Sequence, residues 1–423
     1  ECTPEACPYA NGYYARIKGA LWDVLDVPCL TAETLQEYAE RHMVCPFELG
    51  LDSSLWSDVI IGDYNYLFDP VVHLVRFFES AGDYIFLVDE AHNLPGRARE
   101  MHSAALTKTS FYEAKKLLGK GKSSLKNALT KVNDVFIEWR HRAEEETAAR
   151  DGRFGKTFFL KERSEEFDHL LNRLCEPLEA WLDDHREPDE THTALLQLYF
   201  DVRAWLRVAD TFDDHFVLQI TASGSEVRAA QLCLDPSAFL ADSFALGRAA
   251  VLFSATLAPA SYYKDLCGVP EARAVALRSP FPAGNQGLFC IGNVSTRYKD
   301  RDASLAIVEE SLATMVRARC GNYLAFFPSY AYMEQAYAQF KEHCPEINCI
   351  KQENAMDEQQ KAAFLAQFVP GPSQPLLGFA VMGGVFGEGV DLTGDRLIGV
   401  GIVGPGLPQV GPRQEQLRDY FEQ

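Results

Sequence analysis

One run of nine residues gives the clearest indication of the architecture of this chain: Tyr84-Ile85-Phe86-Leu87-Val88-Asp89-Glu90-Ala91-His92. Its unbroken apolar part predicts a parallel strand that is buried on both faces. In open α/β sheets, ligands bind beyond the carboxyl ends of such strands. We therefore expect Asp89 and Glu90 at the rim of a site, where adjacent carboxylates suit a magnesium ion and an attacking water in nucleotide hydrolysis. The alternative is a surface acid pair that ends a strand before a helix begins at Asn93.

The composition is that of an ordinary globular protein. With 423 residues and a hydrophobic fraction of 47%, the chain is long enough for roughly two to four domains with sizeable cores. The formal net charge of −20 argues against a protein that coats nucleic acid non-specifically, but it permits a local basic channel. No long uninterrupted apolar run and no signal peptide occur, so we expect a cytoplasmic protein away from membranes.

The eleven cysteines fall into two kinds. Most stand singly in apolar surroundings, as reduced core thiols do. Cys2, Cys7 and Cys45 differ, because a close thiolate pair with a distant third suits a metal or iron-sulfur site. The fourth ligand is then either Cys29 or a residue before Glu1. The alternative is that all of these are free structural thiols.

Predicted strands and helices alternate along the chain, as a parallel α/β sheet with right-handed crossovers requires. Residues 58–62 begin as a short buried strand and lead through a polar-aromatic turn toward the acid strand. A further buried strand is expected at 249–257, and it contains Ser254, Ala255 and Thr256. The two hydroxyls can hydrogen-bond a neighbouring acid and relay nucleotide binding, or they belong to a helix N-cap.

A second α/β unit is expected from about residue 281. Residues 323–330 and 347–350 are predicted as the ends of two strands. Residues 379–382 are predicted to belong to a third strand, and residues 397–403 to a fourth. A glycine-rich segment follows the third of them, at 383–392, and glycine allows the backbone to approach a ligand closely. Asp391 in this segment is a candidate partner for a ribose or a metal-bound water.

Residues from about 98 to 227 change in character, and long amphipathic patterns predict an inserted helical domain. Between Arg97 and Lys131, nine Lys and Arg residues stand against two Glu, a net charge of +7. This excess fits a surface that faces phosphates, or a solvated helix face balanced by the acids at 144–146. The candidate DNA contacts are Lys115, Lys116, Lys120 and Lys122.

Two triplets in this insertion resemble the end of a phosphate loop: Gly121-Lys122-Ser123 and Gly155-Lys156-Thr157. A phosphate loop also needs an earlier glycine after a buried strand, and Lys116 and Arg150 stand in that place. We therefore assign both triplets to loops.

Taken together, these segments resemble the XPD/DinG family of iron-sulfur helicases in superfamily two, of the bacterial DEAH-box type, over nearly the whole chain. The resemblance is carried by several motifs in order. These are three of the four cluster cysteines at Cys2, Cys7 and Cys45, the Walker B box at Asp89-Glu90-Ala91-His92, motif III at Ser254-Ala255-Thr256, motif IV at Phe326-Phe327-Pro328-Ser329-Tyr330 and motif V at Gly387-Glu388-Gly389-Val390-Asp391.

The resemblance implies two RecA-like motor domains, the first interrupted by an iron-sulfur domain and an α-helical arch. The implied limits are 1–50 for the iron-sulfur domain, 51–97 with 228–278 for the first motor, 98–227 for the arch and 279–423 for the second motor. It further implies a 4Fe-4S cluster, ATP and Mg²⁺, and ATP-driven 5′ to 3′ movement on single-stranded and forked DNA. We expect a monomer.

The resemblance also assigns roles to single residues. Asp89 would bind Mg²⁺ through water, Glu90 would position the attacking water, and His92 would couple them to residues 254–256. Gly389 and Asp391 would approach the nucleotide. Tyr13 or Tyr14 would be available for stacking on DNA bases.

The sequence also departs from the family. No phosphate loop precedes Glu1, the first cluster cysteine is absent, no closing arginine-rich box follows Gly411, and Gly387 stands where serine is expected. We therefore expect a chain truncated at both ends that hydrolyses ATP poorly by itself. The competing interpretations are a non-catalytic, cluster-bearing DNA-binding module and, less favoured, a nuclease-linked assembly.

Overall fold

The computed structural model describes residues 6–121, 123–149, 155–187, 189–387, 389–406 and 411–422. Two compact units divide the chain, Glu1–Val275 and Ala276–Gln423. None of the described helices is both long enough and apolar enough to cross a membrane.

The first unit contains three groups of elements: a small helical bundle, a short parallel sheet with its helices, and an inserted α+β region. The helices are α1 (Tyr13–Val24), α2 (Ala32–His42), α3 (Pro46–Ser54), α4 (Asn65–Phe68), α5 (Val75–Phe78), α6 (Leu94–Met101), α7 (Lys108–Leu117), α8 (Ser124–Ala149), α9 (Glu165–Asp184), α10 (Glu190–Thr211), α11 (Ser237–Ala245) and α12 (Ala260–Leu266). The strands are β1 (Ile85–Val88), β2 (Ala104–Thr107), β3 (Lys156–Leu160), β4 (Phe216–Ser223), β5 (Glu226–Cys233) and β6 (Ala249–Leu252).

Helices α1, α2 and α3 form the bundle. The Thr31 hydroxyl caps α2 by accepting a hydrogen bond from the Thr34 N–H at 3.2 Å. A proline in the first turn begins α3, where its missing N–H costs nothing. The apolar faces of the three helices meet in a core that includes Ile17, Ala39 and Leu49.

Strand β1 pairs in parallel with β6, with Val88 opposite Leu252. Helices α4, α6 and α11 contribute Phe68, Leu94 and Phe244 to a core against one face of this sheet. The parallel pairing and the alternation of strands and helices confirm the predicted α/β class. The pairing also brings the carboxyl ends of the two strands to the same edge of the sheet.

The prediction that the acid strand is buried on both faces is wrong. Ile85 and Leu87 are 64% and 68% exposed, because the core packs against only one face of the two-stranded sheet. Residues 59–61 form no strand, and Val59 and Ile61 are 75% and 95% exposed. An apolar run can form a strand only where a neighbouring strand pairs with it, and no described strand pairs with these residues.

Strand β6 is likewise shorter and more exposed than predicted. It ends at Leu252 instead of extending to residue 257, and its side chains alternate between exposed and half-buried. Residues 253–257 leave the sheet as an irregular segment, so Ser254 and Thr256 lie beyond the end of the strand.

The insertion is not purely helical, contrary to the prediction. Helices α7 to α10 pack against an antiparallel sheet with the order β2-β5-β4-β3, around a core that includes Phe136, Phe158 and Trp205. The sequence pattern missed this sheet because its edge strands are only four and five residues long and pair with strands distant in sequence.

The two Gly-Lys-Ser/Thr triplets lie in different settings. Gly155 has a φ of 64° and precedes β3, so Lys156 and Thr157 begin a strand and do not form the predicted loop. In the other triplet, Gly121 lies in a loop before α8, while its lysine falls outside the described residues. Strand β5 crosses the limit expected at 227, so the sheet of the insertion continues beyond it.

The second unit is a parallel sheet with flanking helices, as predicted. Its helices are α13 (Arg301–Ala318), α14 (Tyr330–His343), α15 (Glu358–Ala366) and α16 (Pro412–Phe421), and its strands are β7 (Asn322–Phe327), β8 (Asn348–Lys351), β9 (Leu376–Val381) and β10 (Gly399–Ile402). The strand order is β10-β7-β9-β8, and all pairs are parallel. Leu312, Phe327 and Phe379 belong to its core.

Candidate active site

The acid pair lies where the sequence pattern predicted it, directly after β1. Asp89 and Glu90 are both exposed, and the Asp89 Oδ1 accepts a hydrogen bond from the Glu90 N–H at 2.7 Å. No hydrogen bond engages the Asp89 Oδ2 within the described residues. A solvent-facing carboxylate oxygen of this kind fits the water-rich coordination that Mg²⁺ prefers.

Glu90 and His92 meet the segment that follows the neighbouring strand. The His92 Nδ1 lies 2.8 Å from the Ser254 Oγ and 3.3 Å from the Glu90 Oε2. The Ser254 hydroxyl also lies 3.3 Å from the Glu90 Oε2 and accepts a hydrogen bond from the Thr256 N–H at 3.1 Å. The structure therefore brings together residues of the acid strand and of the 254–256 segment, although they are about 160 positions apart.

A cleft of about 580 Å³ opens beside the acid pair. Most of the residues that line it have polar side chains: Gly62, Asp63, Tyr64, Asp89, Glu90, Asn93, Gly96, Arg97 and Glu100. Sequence analysis did not identify Tyr64 as part of this site. The polar-aromatic turn before α4 was the only signal, and it does not indicate which distant backbone group the tyrosine hydroxyl contacts.

The glycine-rich segment of the second unit follows β9. Gly389 has a φ of 71°, a left-handed conformation that favours glycine, and an added Cβ there would meet only open space. Asp391 is exposed, and its carbonyl oxygen accepts a hydrogen bond from the Arg396 Nη1 at 3.4 Å. Glu388 lies outside the described residues. Asp89 and Asp391 thus belong to different compact units.

The segments that carry Cys7 and Cys45 are tied together by Arg16. Its Nε donates to the Met43 carbonyl at 3.0 Å, and its Nη2 donates to the carbonyls of Pro8 and Asn11 at 3.2 and 2.5 Å. The guanidinium therefore holds the loop after Cys7 against the residues that precede Cys45. Both thiols are half-buried, as ligands of a partly shielded cluster would be.

The cysteine set is not complete in the described part of the chain. Cys2 lies outside the described residues, and Cys29 is exposed in the loop between α1 and α2. Within the described residues, no group of three or more potential ligands is close enough to hold a metal ion. The two shielded thiols fit a cluster in part, and the choice between Cys29 and an earlier residue stays open.

Of the predicted DNA-contacting lysines, Lys115 and Lys116 lie at the end of α7 and Lys120 lies in the loop after it. Lys116 and Lys120 are exposed, Lys115 is half-buried, and Lys122 falls outside the described residues. Lys126 is used differently, since its ammonium group donates to the carbonyls of Gly119 and Gly121 and stabilises the loop.

The two tyrosines named as stacking candidates differ in exposure. Tyr14 is 88% exposed, and Trp22, two helical turns later on α1, is 76% exposed. Tyr13 instead packs against the bundle core and donates a hydrogen bond to the Asp52 Oδ2 at 2.8 Å. Only Tyr14 of the pair presents its ring to solvent.

Two family models match the chain. A model named DEAD_2 covers residues 2–111, and a model described as a helicase C-terminal domain covers residues 312–423. The first span contains Asp89 and Glu90, and the second contains Gly389 and Asp391.

Curated relatives match over longer spans at low identity. The chain is 22% identical to the ATP-dependent DNA helicase CHL1 of Coccidioides immitis over 429 residues, which cover 89% of this chain and 49% of that protein. It is 24% identical to the General transcription and DNA repair factor IIH helicase subunit XPD of Schizosaccharomyces pombe over 383 residues, 74% of this chain and 49% of that protein. The chain thus spans about half the length of these relatives.

Solved structures share the fold. An apo XPD structure superimposes with a TM-score of 0.53 at 18% identity, covering 90% of this chain and 73% of that one. The S. tokodaii Xpd4 structure gives a TM-score of 0.51 at 15% identity, covering 93% of this chain and 76% of that one. At these identities the likeness shows the fold alone.

Proposed function

The chain belongs to the XPD/DinG type of superfamily 2 helicases, and we propose that it supplies the residues that hydrolyse ATP and contact DNA in a 5′ to 3′ DNA helicase. The observation that carries the proposal is the contact of Glu90 and His92 with Ser254. An exposed acid pair that only ended a strand would need no such hydrogen-bonded partner in the segment that follows the neighbouring strand.

In this proposal, each residue of the acid segment has one task. Asp89 holds Mg²⁺, which screens the charge of the phosphates when it is bound. Glu90 orients the attacking water and accepts its proton. His92 and Ser254 keep the Glu90 carboxylate at the mouth of the cleft and link it to the segment after β6.

Gly389 and Asp391 are proposed as the nucleotide contacts of the second unit. The exposed left-handed glycine leaves space for the close approach of a ligand, and the exposed carboxylate can accept hydrogen bonds from ribose hydroxyls. An alanine at position 389 would be strained by the φ of 71°.

A 4Fe-4S cluster is proposed for the bundle, with Cys2, Cys7 and Cys45 as ligands. This assignment is supported by the hydrogen bonds of the Arg16 side chain, which hold the segments of Cys7 and Cys45 together without help from a metal. When bound, such a cluster would cross-link segments about forty residues apart in sequence.

Single-stranded and forked DNA are the proposed substrates. The exposed Lys116 and Lys120 would contact phosphates, and the exposed rings of Tyr14 and Trp22 offer faces for base stacking. We retain the monomeric state and the order of domains given above as part of this proposal, with the limit at 227 moved to the end of β5 at Cys233.

Glu90→Gln in the full-length gene product tests the catalytic assignment. We expect DNA-stimulated ATP hydrolysis to fall by a factor of about 100 or more, because the amide cannot accept a proton. The affinities for ATP and for single-stranded DNA should change little, since the amide fills the same space. ATPase rates and binding isotherms measure the two parts separately.

Glu100→Gln is the matched control. Glu100 lines the same cleft and pairs with the Arg97 guanidinium at 3.5 Å, but it takes no part in the contacts with Ser254. Its variant should retain wild-type turnover. If Glu90→Gln retains turnover as well, Glu90 does not have the proposed role.

A further inference from the structure

The peptide that joins Asp89 to Glu90 is held at both of its polar groups. The Tyr64 hydroxyl donates a hydrogen bond to the Asp89 carbonyl oxygen, and the Glu90 N–H donates to the Asp89 Oδ1 at 2.7 Å. Because the peptide group is planar, fixing its C=O and its N–H fixes the direction in which the chain enters Glu90.

Glu90 has an unusual backbone conformation that needs such restraint. Its φ of 45° and ψ of 40° lie in the left-handed region, which is unfavourable for a residue with a Cβ. Such a conformation persists only where several contacts determine it. Downstream, the Ala91 N–H donates to the Phe253 carbonyl at 3.1 Å, and the Asn93 N–H donates to the Glu90 carbonyl at 2.9 Å. At the start of the turn, the Asp89 carbonyl is held by the side chain of Tyr64.

Tyr64 is itself well anchored. Its half-buried ring packs edge-to-face on Phe68 at 6.1 Å between centroids, and Phe68 packs on Phe244 at 5.4 Å in the core.

We infer that Tyr64 is a positioning residue for Glu90: its hydroxyl holds the strained turn that keeps the Glu90 carboxylate beside Ser254 and His92. The inference rests on the proposed function for its effect on catalysis. The contact with the turn itself does not depend on that function. Without the hydroxyl, the peptide can rotate, Glu90 can leave the left-handed region, and its carboxylate can move away from the attacking water.

Tyr64→Phe tests this role, because it keeps the ring on Phe68 and removes only the hydroxyl. In the full-length gene product, we expect kcat for DNA-stimulated ATP hydrolysis to fall about tenfold, with KM for ATP within about twofold of wild type. Tyr66→Phe is the matched control. Tyr66 lies two residues later, in α4, its ring lies against Gly62, and its hydroxyl makes no hydrogen bond within the described residues. Its variant should leave both constants unchanged.

A second readout does not depend on catalysis. Amide hydrogen exchange of residues 89–93, measured without nucleotide, should be faster in Tyr64→Phe than in wild type and in Tyr66→Phe, at an unchanged melting temperature. An unchanged exchange rate, or an unchanged kcat in an active enzyme, would overturn the inference. If the wild-type protein hydrolyses no ATP, the proposed function fails, and the exchange comparison still decides whether Tyr64 holds the turn.

Discussion

At the scale of the single residue, Asp168 is a charged side chain at a position that the helical pattern of α9 assigns to the core. It is 6% exposed, its Oδ1 accepts a hydrogen bond from the Trp205 indole N–H at 2.8 Å, and its Oδ2 lies 3.9 Å from the Arg163 Nη1. Burial raises the pKa of this carboxyl above its usual value of 3.8, although the Trp205 hydrogen bond and the Arg163 charge act in the opposite direction. Relative to the unfolded chain, folding therefore shifts this acid toward its protonated form.

This shift predicts how stability depends on pH. A raised folded pKa means that the contribution of Asp168 to stability is complete below pH 3.8 and is lost as the pH rises through the folded pKa. Asp168→Asn cannot ionise and keeps an acceptor for Trp205. The melting temperature of the variant should therefore rise relative to that of wild type as the pH is raised from about 4 to 7. Circular dichroism measures both melting temperatures.

Asp183→Asn provides the control for this prediction. Asp183 lies on the same helix, and its side chain is 78% exposed beside Arg186. Its variant should differ from wild type by the same small amount at every pH, since exposed pairs contribute little. A difference between Asp168→Asn and wild type that does not change with pH would contradict the assignment of the shift to this buried acid.

At the scale of the element, the sequence predicted strands wherever an apolar run was followed by polar or glycine residues. Strands β1, β7 and β9 were found in this way, and so was the position of Asp89 and Glu90 beyond a strand. The hydrogen bond of Tyr64 to the acid turn could not be predicted, because it joins residues 25 positions apart through one side chain and one backbone carbonyl. Local periodicity contains no information about such a pair.

The pattern failed for the insertion for a related reason. Strands β2 and β3 are short, and each becomes a strand only because a distant segment supplies its partner. The opposite error occurred in residues 59–61. This apolar run has high strand propensity, but none of the described strands pairs with it, and it stays exposed. Strand formation depends on pairing, which is a property of the tertiary fold.

The loop before α1 and the segment before α3 form the element on which the proposed cluster depends. Because Arg16 holds the two segments together, Cys45→Ser removes a ligand from a site that is otherwise intact. We expect the anaerobically purified variant to lose most of the visible iron-sulfur absorbance and most of the protein-bound iron. Absorption spectra and iron assays of wild type and variant make the comparison.

Two further variants complete this experiment. Cys175→Ser alters a buried thiol in the core of the insertion and should keep the full absorbance. Cys29→Ser distinguishes the two sources of the fourth ligand, since it removes the absorbance only if Cys29 is that ligand. Equal absorbance in Cys45→Ser and wild type would exclude Cys45 from the cluster.

At the scale of the whole molecule, a net charge of −20 has to be reconciled with the proposed DNA substrate. Charges in solution act over about 8–10 Å at physiological ionic strength, so distant acids weaken a local lysine contact only slightly. The end of α7 and the loop after it are the proposed place of such a contact, and Lys116 and Lys120 are exposed there. DNA affinity should therefore depend on this local patch and fall steeply with added salt.

The double variant Lys116→Gln with Lys120→Gln tests this account. Each lost phosphate contact on a single strand reduces the slope of log K against log salt by about 0.7, so the double variant should reduce it by about 1.4. Fluorescence anisotropy with a single-stranded oligonucleotide over a sodium chloride series measures the slope. Lys361→Gln is the control, because Lys361 lies in the second unit and pairs with Glu358 at 2.5 Å. Identical slopes for wild type and the double variant would show that these lysines face solvent and not DNA.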